Sequence, residues 1–183
     1  MPILPAAGAQ RSHARDVLRA DALDAESIAG WLRRLGLRAS RLPPAAPITG
    51  SWWGDEEAGL ERDVLHYRGD TPMHSILHEA CHYACMSTER RSCLDTDAGG
   101  DDLEECAVCY LQVLLADTIP ELGAARMLED MDAWGYSFRL GSARRWFLED
   151  AGDARAWLEK HGLIDAQARP TWRLRSGGCA EDT

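Results

Sequence analysis

Apolar and polar positions alternate in two ways along this chain, and the change in period divides it. Asp24 or Ser27 can cap a short helix running to Leu35, with Gly36 stopping it. Leu37 to Leu42 then alternates apolar residues with Arg and Ser, as a half-buried strand does. Pro43, Pro44 and Pro47 read as a rigid linker. Ile48–Trp53 and Asp63–Tyr67 are the next expected strands, with turns at Gly54-Asp55 and Gly59 around the acidic segment between them. Gly69-Asp70-Thr71-Pro72 makes a turn and a helix start, with Thr71 as cap and Pro72 at the first helical position. That helix is expected to reach about Met86.

Residues 87–100 read as a loop. Asp101 or Asp102 caps a second strong helix that ends before Pro120. Helical segments follow near 121–133, 141–151 and 153–161, closed by Gly162, and Arg169 to Arg175 is a late strand or extended tail. The expected fold is therefore α+β. A small, mostly antiparallel sheet over 37–68 packs on the helix starting near 72, and a helical part follows. No internal repeat is visible.

The chain of 183 residues suits one domain, placed here at 23–175, with 1–22 loosely ordered and 176–183 a frayed tail. A hydrophobic fraction of 45% and seven Trp argue against disorder. The net charge of −10 argues against a nucleic-acid binder, which needs a basic face for phosphates. No stretch approaches the roughly 20 apolar residues that span a bilayer, and no signal peptide is visible, so the expectation is a soluble cytoplasmic protein without a membrane partner. The six Cys are then expected as thiols rather than disulfides.

The chemistry concentrates in His78-Glu79-Ala80-Cys81-His82. Residues four apart share a helix face, so the two imidazoles can bind one Zn²⁺ while Glu79 reaches a water beside it as general base. A catalytic zinc usually takes a third protein ligand. On a helical wheel the apolar stripe of 101–116 centres near Leu103, Ala107, Leu111 and Leu114. Glu104 lies at the edge of that stripe, and Glu105 lies nearer Gln112 and Ala116. A carboxylate on the buried side needs a partner, which favours Glu104 as the metal ligand and leaves Glu105 open as a first-turn acid. His74 precedes His78 by one turn. It suits a pocket role around the metal better than direct ligation, since ligands at i, i+4 and i+8 converge poorly on one ion.

The motif and the segment Glu104-Glu105-Cys106-Ala107-Val108-Cys109-Tyr110 resemble the gluzincins, thermolysin-like metallopeptidases with His-Glu-x-x-His and a downstream Glu ligand. The resemblance covers residues 71–116. It implies a zincin-like fold, His78, His82 and Glu104 as zinc ligands, Glu79 as catalytic base, and a peptide or protein as substrate. Many gluzincins carry an Asp four residues after the Glu ligand, supporting a zinc-bound His. Val108 stands there, so that support must come from elsewhere, with Asp97, Asp101 and Asp102 as candidates. Tyr136 is a candidate oxyanion donor. Two other readings use the same residues: a non-catalytic zincin-fold binding or regulatory protein, and a structural metal protein, for which Cys81, Cys85, Cys106 and Cys109 are further ligand types. In a zincin cleft the strand Ile48–Trp53 would pair with an extended peptide, with one of Trp52 and Trp53 facing it.

Overall fold

The computed structural model describes residues 16–51 and 54–177; Trp52 and Trp53, and with them the cleft-facing Trp, lie outside the described residues. It contains seven α-helices and one three-stranded sheet among those residues, an α+β arrangement. Helix α1 (Ala25–Arg34) starts at Asp24, whose side chain accepts from Ser27 N, and stops ahead of Gly36 at φ 75°. Strands β1 (Arg38–Arg41), β2 (Gly59–Glu61) and β3 (Val64–Tyr67) follow, in the sheet order β1-β3-β2.

The sheet is mixed, which corrects the expectation of a mostly antiparallel one. β2 and β3 pair antiparallel with Leu60 opposite Leu65, while β1 pairs parallel to β3 with Arg38 opposite Val64. The long connection over 42–58 carries the chain back to the starting end before the β2–β3 hairpin forms. β1 then meets the free edge of β3 running in the same direction. Ile48–Ser51 is not a strand. It turns at Gly50 (φ 72°), whose carbonyl accepts from Leu60 N at 3.1 Å. Gly59, expected as a turn, instead opens β2. A Cβ at this position would lie 2.0 Å from the Thr49 carbonyl oxygen, so only glycine lets the two segments touch.

Helix α2 (Met73–Cys85) carries the His-Glu-x-x-His motif and is buried everywhere except Glu79 and Tyr83. Its cap differs from expectation by one residue. Pro72 is the N-cap, and the Thr71 hydroxyl accepts from Arg68 N instead. The orphan amide of Met73 finds its acceptor in Leu18, whose carbonyl lies 2.8 Å away. The described part of the N-terminal stretch is therefore not loose. Ala20 N and Asp21 N also donate to the carbonyls of Thr71 and Gly69, and Val17 and Ala20 are buried.

Helix α3 (Thr88–Ser92) lies inside the expected loop, started by Ser87. Helix α4 (Asp102–Ala116) begins at Asp101, whose carboxylate accepts from Leu103 N and Glu104 N. From Ala107 to Ala116 every residue of α4 is buried except Leu114, while Leu103 is 40% exposed. α4 is thus the central helix, packed against α2, α5 (Gly123–Trp134) and α7 (Gly152–Lys160), with α6 (Ala143–Glu149) outside α5. The segment 171–177 is extended and returns to α2, where Arg175 N donates to Ala84 O at 2.9 Å. Among the described residues no helix is long and apolar enough to cross a membrane.

Candidate metal centre

α2 and α4 lie side by side, and each contributes a polar stripe to an otherwise apolar seam. α2 supplies His74, His78 and His82; α4 supplies Glu105, Cys109 and Gln112. Three donor atoms converge there. His78 Nε2 and His82 Nε2 are 3.0 Å apart, and Glu105 Oε1 lies 3.2 Å from the first and 3.5 Å from the second. Four donors arranged tetrahedrally at the usual zinc–nitrogen distance stand about 3.3 Å from one another. The triangle His78–His82–Glu105 is therefore close to one face of such a tetrahedron. Among the described residues Glu105 Oε1 and His82 Nδ1 are buried without a hydrogen-bond partner, and the oxygen is one of the three converging atoms.

The electrostatics also suit a cation. Burial works against a charged His78, yet Tyr136, Cys109 and Glu105 together raise its pKa well above the usual histidine value. Burial pushes the Glu105 carboxyl up, but the two imidazoles outweigh it and hold the group well below the ordinary carboxylate range. A place that favours a protonated ring beside a carboxylate also favours a metal ion beside the deprotonated ring. Glu79 follows His78 on α2, and burial raises its pKa against the lowering effect of the two imidazoles.

The expected ligands His78 and His82 are brought together, with Glu79 on the same helix. Glu104, favoured as third ligand, is not with them; Glu105 takes that place. Glu104 is 4% exposed and does need a partner, but it has two guanidinium groups: Arg90 Nη1 at 2.5 Å and Arg175 Nη1 at 3.0 Å. The wheel failed because it assumed one exposed face, and α4 has almost none beyond its first turn. The side facing α2 is the one that carries Glu105 and, two turns on, Gln112. A lone glutamine in the apolar run 107–116 was the available signal for that side.

His74 stays out of the triangle. Its ring packs on Trp134 with centroids 4.8 Å apart, its Nδ1 lies 3.5 Å from the Tyr136 hydroxyl, and burial lowers its pKa to about 3. Tyr136 meets the edge of the His78 ring at 5.9 Å and interacts with Gln112, so it backs the ring. None of the acids considered as support for a histidine serves that role. Asp101 caps α4, Asp97 accepts from Gly99 N, and Asp102 is exposed. Gln112 does so instead, with Oε1 3.2 Å from His78 Nδ1. Cys81, Cys85, Cys93, Cys106 and Cys109 are free thiols, and none joins a metal-ligating cluster among the described residues. No protein-family model, curated protein or solved structure matches the chain.

Proposed function

We propose that the protein is a zinc-dependent hydrolase of the metallopeptidase type, with His78, His82 and Glu105 holding the metal and Glu79 acting as general base. The observation that carries this reading is the triangle of donor atoms with edges of 3.0, 3.2 and 3.5 Å. Two imidazole nitrogens and one carboxylate oxygen match the protein ligand set of a hydrolytic zinc site. When bound, zinc supplies a Lewis acid that lowers the pKa of water and polarises a carbonyl. Glu79 has a raised pKa and makes no hydrogen bond among the described residues, so its carboxylate is free to take a proton from water and pass it to a leaving amine. The resemblance to gluzincins supports a zincin-like plan and a peptide or protein as substrate. The free thiols fit a cytoplasmic setting.

The experiment is elemental analysis of the purified protein and its variants, followed by a peptide-library screen. About one zinc per chain is expected in wild type, lost in His78→Ala and Glu105→Ala and kept in Glu104→Gln. Glu79→Gln should keep the metal and lose turnover by 100-fold or more. A wild type that takes up no zinc when the metal is supplied sinks the reading. Bound zinc with no difference between wild type and Glu79→Gln makes the protein a non-catalytic metal-binding module.

A further inference from the structure

Gln112 is fully buried in the seam between α2 and α4, and each of its amide atoms has a defined neighbour. Nε2 donates to the His74 carbonyl oxygen at 2.9 Å and lies 3.4 Å from Met127 Sδ. A carbonyl oxygen can only accept, so the NH₂ group must face it and Oε1 must face His78. Oε1 in turn can only accept, so the group 3.2 Å away on His78 is Nδ1–H. With its proton fixed on Nδ1, the lone pair of the neutral ring is on Nε2, the atom that belongs to the donor triangle.

We propose that Gln112 is a positioning residue for the metal centre: it holds the His78 ring in the one tautomer and orientation that present Nε2 to the metal. The inference rests on the metal-centre reading for its purpose, but the proton assignment stands on the hydrogen bonds alone. A carboxylate supporting a metal-bound histidine would here face the His74 carbonyl with a second oxygen and no donor. An amide satisfies both neighbours at once. His82 shows the contrast. Its Nδ1 is buried with no hydrogen-bond partner among the described residues, so none of them sets the tautomer of that ring from behind. The backbone contact also bears on α2 itself. Gln112 ties the carbonyl one turn before His78 to the same amide that aligns the ring, fixing how far α4 slides along α2.

The test uses the whole chain with Gln112→Leu, which removes the polar contacts at similar volume, and Gln112→Glu, which keeps an acceptor. Histidine ¹⁵N spectra of the zinc-free protein, recorded with the His78 ring in its neutral form, should show Nδ1 protonated in wild type and in Gln112→Glu. Gln112→Leu should show mixed tautomers and a zinc affinity lower by roughly 10–100-fold in competition with a chelator. A wild-type ring protonated on Nε2 overturns the proposal, as does a folded Gln112→Leu that keeps both the Nδ1 proton and wild-type zinc affinity. If Gln112→Leu does not fold, the wild-type and Gln112→Glu spectra decide. A wild type that binds no zinc removes the hydrolase reading, while the ¹⁵N pattern still reports whether Gln112 sets the tautomer.

Discussion

Glu104 and Glu105 are adjacent acids with opposite assignments, and the distinction is one of environment. Glu104 ends among guanidinium groups and Glu105 among imidazoles. Glu104→Gln leaves two arginines facing a neutral amide in a largely buried place, and is expected to lower stability by about 3 kcal/mol in urea denaturation. His74 sets a second expectation for the zinc-free protein. Its folded pKa is depressed to about 3 by burial, so between pH 6.5 and that value the unfolded chain takes up a proton that the folded chain refuses. Stability therefore falls as pH drops through this window, by about 1.4 kcal/mol per unit. His78 acts in the opposite sense, since its pKa is raised: the stability it lends is complete below the unfolded value and disappears as pH rises through the folded one. Below pH 6.5 His78 thus does not cancel the slope from His74, while Glu79, whose pKa burial raises, opposes it where it protonates. Urea midpoints at pH 6.5 and 5.0 should differ clearly in wild type and much less in His74→Leu. Equal shifts in the two proteins would remove His74 as the cause.

Among the elements, those with strong local signals were legible in the sequence. The caps at Asp24 and Asp101 place α1 and α4, and Pro72 with the apolar run after it places α2 to within a residue. What the sequence hid depends on distant partners. α3 has only five residues, too few for a periodic signal, and it exists because Arg90 and Arg91 reach carbonyls on α2 and in the 98–99 loop. Strand direction is likewise absent from alternation, which looks the same for parallel and antiparallel neighbours. Half of the candidate donor cluster was legible because His78 and His82 lie on one helix. The other half required knowing which side of α4 meets α2. Gly59 gives the element-scale test. Gly59→Ala brings a methyl group against the backbone at Thr49 and Ser51, and should lower stability by about 3 kcal/mol. A variant as stable as wild type would mean that β2 does not lie against that turn.

For the molecule as a whole, the proposed ligands come from two helices only, so zinc held by them would add to the docking of α2 on α4. Zinc at 100 times its dissociation constant should stabilise the folded state by about 2.7 kcal/mol, raising the thermal midpoint of wild type but not of Glu105→Ala. An equal rise in both would place the ion elsewhere. The return of the 171–177 segment to α2 has a consequence for the order of assembly. A ribosome delivers α2 and α4, and with them all three ligands, some 60 residues before Arg175. Until Arg175 is made, Arg90 is the one of Glu104's two guanidinium partners already present in the chain. When Arg175 arrives it supplies the second charge to Glu104, while Arg91 takes hold of its carbonyl. Synthesis thus brings the strap across the C-terminal end of α2 last, after both helices that carry His78, His82 and Glu105.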